Sequence, residues 1–185
     1  FLAALLDSQP MGFYAPAQLV RDAKEHGVQV LPVDVTCSEW DSTLESDATD
    51  AAPGAARTLG QSSHHVRLGL NRISGFPEEA VQRLLAARAE QPFASPEDLT
   101  RRAQLDAHQL QLLAQADALA RITGHRHQAA WAVAGVDTRA TPMLRATRTH
   151  EAQATLAAPG DAAETLADYR ATGLSLKNHP LALLR

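Results

Sequence analysis

One short stretch constrains this chain more than any other: Ile73-Ser74-Gly75-Phe76-Pro77-Glu78-Glu79. A tight reversal needs a residue that takes positive φ without steric cost, and Gly75 supplies it. Ile73 and Phe76 flank the glycine and can bury together, which pins the turn. Pro77 suits the first helical position, where its missing N–H costs nothing. Glu78 and Glu79 complement the positive end of the helix dipole. Ala80, Val81, Leu84 and Leu85 follow at helical spacing, with Arg88 next along the stripe. The residues therefore predict an apolar turn and then an amphipathic helix that stops near Gln91-Pro92.

A helix that starts at a glycine turn presents unpaired backbone N–H groups, which form a site for a phosphate. That is the logic of a helix-hairpin-helix, a module that grips the DNA backbone without reading bases. The usual hairpin has a second glycine where this chain has Pro77, so one donor is removed. The candidate phosphate site is Gly75 with the N–H groups of Ser74, Phe76 and Glu78. Arg72 sits beside the turn and can pair with a phosphate oxygen. Arg101 and Arg102 near a helix end, and His125, Arg126 and His127 opening another helix, are further candidate DNA contacts. The competing readings are a purely structural turn at Gly75, a solvated Arg72, and dipole compensation by Arg101 and Arg102.

The rest of the chain reads as short helices joined by tight turns. Leu19, Val20 and Ala23 mark a helix over 17–26, with Gly27 as its stop. Val28 to Leu31 alternates and is β-rich, so a short strand is expected. Trp40 to Glu45 and Val66 to Leu70 look like a pair of strands. Residues 46–65 are rich in Ala, Ser, Asp, Gly and Thr, and a mobile loop is expected there. Ser95, Pro96, Glu97 and Asp98 give a cap, a first-turn proline and first-turn acids. Asp106 caps the next helix, whose core face is Leu110, Leu112, Leu113, Ala116 and Leu119. A second hairpin unit puts Asp117 where the first has Gly75. A carboxylate repels phosphate, so that copy is expected to be structural. Residues 135–162 lack periodicity and read as a linker. Glu164 to Gly173 is expected to be a helix with Leu166 and Tyr169 inward. Met11, Phe13 and Tyr14 read as apolar anchors, and Trp40 and Trp131 as core residues.

These elements make a mainly α fold with a small β-hairpin and a tandem helix-hairpin-helix region. The formal net charge is −4, which is not that of a protein using a basic patch. The acidic excess sits in residues 1–65, while residues 66–139 are close to neutral, with arginines spread along them. That balance suits a module that relies on backbone amides. The single cysteine, Cys37, excludes an internal disulfide and a cysteine zinc cluster, and suggests a reducing compartment. No stretch has the length needed to span a membrane, and the first residues lack the basic start of a signal peptide. A cytoplasmic location is expected. His125-x-His127 lacks a third ligand of the right type, so no metal site is expected. No spacing of Ser, His, Asp or Cys suggests a nucleophilic triad, so no catalytic residue is expected. The chain begins without methionine inside an apparent helix and reads as a piece of something larger.

Taken in order, the residues resemble the C-family bacterial DNA polymerases, the group of the replicative polymerase III α subunit. The resemblance is carried by Phe1 to Leu6, His26 to Val35 with its Pro32-Val33-Asp34, Val66 to Leu70 running into Ser74-Gly75-Phe76, Pro92 to Leu99, and Gly124 to Trp131. Ser8 to Tyr14, Tyr169 to Leu176 and His179 to Arg185 are most similar to the error-prone branch, the polymerase of the damage-inducible mutagenesis cassette. The resemblance implies that residues 1–65 are the end of a fingers domain and 66–139 a tandem helix-hairpin-helix. Residues 140–163 would be a linker and 164–185 the start of a C-terminal region. It also implies translesion synthesis by nucleotidyl transfer with Mg²⁺ held by palm carboxylates. Those carboxylates are expected upstream, so this stretch alone should be inactive. Primer–template DNA is the implied partner. The alternative is a protein-interaction module for the cassette's accessory proteins or the sliding clamp.

Overall fold

The computed structural model describes residues 1–46, 64–138 and 154–184. Most of the loop expected at 46–65, and much of the expected linker, therefore lie outside the described residues. Eight α-helices are described: α1 (Leu2–Asp7), α2 (Pro16–Glu25), α3 (Glu78–Glu90), α4 (Pro96–Ala103), α5 (Ala107–Gln115), α6 (Ala120–Thr123), α7 (Arg126–Ala134) and α8 (Asp161–Thr172). Three short strands accompany them: β1 (Val30–Leu31), β2 (Thr43–Ser46) and β3 (His64–Arg67). Single 3₁₀ turns lie at Leu70–Arg72 and Pro180–Leu184. The chain is mainly helical with a small sheet.

The expected strand pair is present. β2 and β3 run antiparallel, with Thr43 opposite Arg67 and Leu44 opposite Val66. The sheet has a third member, because β1 pairs parallel with the other edge of β3, Val30 opposite Val66. The N–H groups of Val66 and Leu68 donate to the carbonyls of Gln29 and Leu31 at 2.9 and 3.0 Å. This pairing covers an edge that the hairpin alone would leave open. Arg67 is buried beside it and bonds Glu45 through Nε and Nη2 at 2.8 and 2.9 Å and the Pro32 carbonyl at 2.9 Å. Those bonds hold the Glu45 carboxyl below its usual range.

Gly69 lies just past β3, at the start of the 3₁₀ turn, where the chain crosses the Trp40–Asp41 backbone. Leu70 N–H donates to Glu39 O at 2.8 Å and Asn71 N–H to Trp40 O at 3.0 Å. A Cβ on Gly69 would lie 2.3 Å from the Trp40 carbonyl oxygen and 2.5 Å from the Asp41 carbonyl carbon. The constraint is space and not conformation, since φ there is −75°.

Leu6, Leu68, Leu70, Leu84, Leu99, Leu110, Leu113, Leu119 and Leu174 are fully buried in one apolar cluster. That cluster joins the N-terminal helices, the α3–α7 region and the turn after α8. Local signals placed the helix starts well. Ser95 Oγ accepts the Asp98 N–H at 3.2 Å, and Asp106 and Gln109 form a reciprocal capping box.

Four expectations are corrected. Pro77 is the N-cap of α3 and not its first helical residue; its extended backbone turns its carbonyl onto the N–H groups of Ala80 and Val81. Phe13 and Tyr14 are 87% and 61% exposed, so they do not anchor the segment. Trp131 is 58% exposed, while Trp40 packs against the core as expected. The inner face of α8 carries Glu164, Thr165, Ala171 and Thr172, and Leu166 points outward. The reason is Arg126 on α7, a buried cation that needs carboxylates facing it.

Gly69→Ala should destabilise the chain by about 3 kcal/mol, as for a side chain forced onto backbone. Urea unfolding followed by far-UV circular dichroism measures this, and an unchanged midpoint would refute the close approach.

Candidate nucleic-acid interface

The chain reverses three times on one plan: a residue in the left-handed region, a buried apolar residue, then a helix N-cap. Gly75 (φ 76°), Phe76 and Pro77 open α3. Gln104 (φ 51°), Leu105 and Asp106 open α5. Asp117 (φ 57°), Ala118 and Leu119 open α6. Phe76, Leu105 and Ala118 are all buried, so each turn is nailed to the core by its second residue.

The backbone amides separate the three. The last two turns follow α-helices and spend their N–H groups on them. Gln104 N–H donates to Thr100 O, and Asp117 N–H to Ala114 O at 3.1 Å. Leu105 and Ala118 reach back to Thr100 O and Leu113 O at 3.2 and 3.0 Å, the six-to-one bond of a Schellman turn. The Gly75 turn follows only the 3₁₀ turn Leu70–Arg72, which has no α-helical carbonyl in reach. Among the described residues, nothing accepts the N–H of Gly75, nor those of Glu78 and Glu79 at the start of α3.

The four amides named from the sequence therefore divide. Ser74 N–H donates to Ala171 O at 2.8 Å and Phe76 N–H to Ile73 O at 3.1 Å. Gly75 and Glu78 keep theirs unspent. Ser74, Gly75, Pro77 and Glu78 are exposed, and a Cβ built on Gly75 meets no atom within 4 Å. The turn is thus open to a ligand, with the positive end of a thirteen-residue helix behind it. The carboxylates of Glu78 and Glu79 in that first turn oppose an anion, so the amides must act at short range.

The other candidates have these places. Arg72 is half-buried and donates from Nη1 to Leu6 O at 3.1 Å, at the end of α1, while its Nε is buried without a partner. Burial pulls its pKa below the usual guanidinium value, and Asp7 opposes that. Arg101 is exposed and pairs with Asp98 at 2.8 Å. Arg102 closes the end of α3: it donates to the carbonyls of Ala87 and Gln91, bonds Asp98, and lies over the Phe93 ring at 5.0 Å. His125 caps α7 by accepting the Gln128 N–H at 3.2 Å, and its Nε2 meets Leu156 O at 3.1 Å. His127 Nδ1 meets Ala157 O at 3.0 Å. Arg126 is buried and pairs with Glu164 at 3.0 Å and with Asp168. The residues opening α7 are thus brought together, and what they touch is the chain's own 154–168 segment.

Asp117 takes the left-handed conformation that Gly75 takes in the first turn. Burial pushes its carboxyl above the usual range. Its amide is spent, so this turn offers a phosphate a carboxylate and no donor at the equivalent place. The sequence reading missed the left-handed Gln104, which carries no glycine to announce it, and the short helix α6. Among the described residues, no group of three or more His, Cys, Asp or Glu could hold a metal ion, and no helix is long and apolar enough to cross a membrane.

Residues 27–129, more than half of the chain, match the helix-hairpin-helix motif family. The chain belongs to that family. Over its whole length it is also 57% identical to an error-prone DNA polymerase of Azoarcus sp. (strain BH72). It is 52% identical to one from Aromatoleum aromaticum and 46% identical to one from Methylococcus capsulatus. It spans 17%, 16% and 18% of those three relatives. The likeness to that polymerase branch thus extends beyond the helix-hairpin-helix into both flanks.

Gly75→Ala should cost only about 1 kcal/mol, from the left-handed conformation alone. Arg102→Met should cost about 2 kcal/mol, because the Ala87 and Gln91 carbonyls lose their donor. Thermal unfolding of both variants checks the contrast; a larger loss for Gly75→Ala would mean that the turn is not open.

Proposed function

We propose that this chain is the backbone-gripping part of an error-prone DNA polymerase. It would hold duplex or primer–template DNA behind the active site during synthesis across damaged template. The observation that carries the reading is the unspent amide of Gly75 on an exposed turn that opens a long helix. Gly75 and Glu78 would donate to a phosphate oxygen, and the contact would be indifferent to sequence. The names of the relatives support the polymerase, and the family match supports the grip. The whole protein would transfer nucleotides in the cytoplasm during DNA repair, with Mg²⁺ stabilising the transferred phosphate. The donor set among the described residues does not fit that metal, so no step of the chemistry is assigned to them.

A second reading is a docking module for accessory proteins of the mutagenesis cassette or for the sliding clamp. The net charge of −4, the donor lost at Pro77 and the carboxylate at Asp117 favour it.

Fluorescence anisotropy with a short primer–template separates the two. The first reading predicts weak binding without sequence preference, falling with log salt at a slope on the order of −1 for the single phosphate engaged. Gly75→Val should abolish it while leaving any clamp or accessory-protein binding intact. Tight binding that ignores salt, or a Gly75→Val variant that binds DNA normally and loses a protein partner, would favour the second.

A further inference from the structure

The carbonyl of Ala171, in the last turn of α8, accepts the N–H of Ser74 at 2.8 Å. Ser74 adjoins Gly75, whose own amide is unspent. Last-turn carbonyls have no partner within their helix and carry the negative end of its dipole. In this arrangement α8 takes one donor from the Gly75 turn and sets partial negative charge against it.

The segment around that carbonyl is held by separable contacts. Gly173 ends α8 in the left-handed region, and Leu174 behind it is buried in the core cluster. Lys24 Nζ on α2 donates to Leu176 O at 2.8 Å. Lys177 pairs with Glu164, and its Nζ lies 3.9 Å from Asp117. Among the described residues, neither Leu174 nor Lys177 forms a hydrogen bond or ion pair with Ser74, Gly75, Phe76 or Glu78. Leu174 shares the core cluster with Phe76, and Lys177 does not, so Lys177→Met is the cleaner of the two changes.

We propose that docked α8 is an autoinhibitory contact: it withholds the Ser74 N–H from DNA phosphate, and undocking gives the turn a third donor beside Gly75 and Glu78. The inference rests on reading that turn as a phosphate site. A phosphate oxygen and the Ala171 carbonyl are alternative acceptors for one N–H, so engagement of one excludes the other. By reciprocity, DNA held through Ser74 weakens α8 docking by the factor that undocking strengthens DNA binding.

The test compares the chain with Leu174→Ala, which leaves charge unchanged, and with the milder Lys177→Met. Amide exchange at Ser74 reports docking, exchange at Leu84 and Leu99 reports global opening, and anisotropy with a short duplex at low salt reports the grip. Both variants should exchange Ser74 faster with Leu84 and Leu99 unchanged, and should bind duplex severalfold tighter. Losing a positive charge works against that result in Lys177→Met, so tighter binding there is the stronger support. If Leu174→Ala opens globally, Lys177→Met decides. Faster Ser74 exchange with equal or weaker duplex binding would overturn the inference, because α8 would then brace the turn. Unchanged Ser74 exchange in both variants would overturn it as well. Duplex binding absent from the parent chain and both variants would instead overturn the phosphate reading, and the inference with it.

Discussion

A backbone N–H without an acceptor, on an exposed turn, is the feature around which this molecule makes sense. Buried amides find a partner within the protein, whereas an exposed one is left to water or to a ligand. Gly75 lacks an internal partner because the segment before it is a single 3₁₀ turn, which offers no carbonyl at the right distance. The two sister turns follow full helices and close on themselves. The open space at Gly75 and the exposed start of α3 leave that group accessible.

The rest of the structure holds the turn in place. Phe76 and Ile73 are buried on either side of Gly75, and Arg72 ties the preceding residues to the end of α1. Gly69 lets the strand run hard against the Trp40–Asp41 backbone, which fixes where the 3₁₀ turn begins. On the far side, the Ala171 carbonyl takes up the neighbouring Ser74 amide from a distant part of the chain, which occupies a donor and is not needed to hold the turn. Buried Arg126, with Glu164 and Asp168, fastens α7 to α8. An ion pair this buried adds little net stability, but it is costly to break singly, so it fixes which face of α8 turns inward.

What could be read from the residues was what their neighbours decide. The Gly75 reversal, the Ser95 and Asp106 caps and the stop at Gly27 follow from side chains within a few positions, and each is found. The misreadings have a non-local cause. Leu166 looked inward by periodicity, yet Arg126 on another helix required Glu164 there. Val28 to Leu31 looked like a strand of unknown partner, and its parallel pairing with β3 joins segments far apart. No local pattern shows that Ala171 meets Ser74, or that Gln104 turns left-handed. Apolar type misled at Phe13, Tyr14 and Trp131, which the fold leaves exposed.

Whether phosphate finds the Gly75 amide is decisive. Amide chemical shifts recorded while a short duplex of arbitrary sequence is titrated in measure this directly. The Gly75 and Glu78 resonances should move first and furthest, and return as salt is raised. Shifts that spare both, while amides elsewhere on the chain respond to the same duplex, would contradict the phosphate reading.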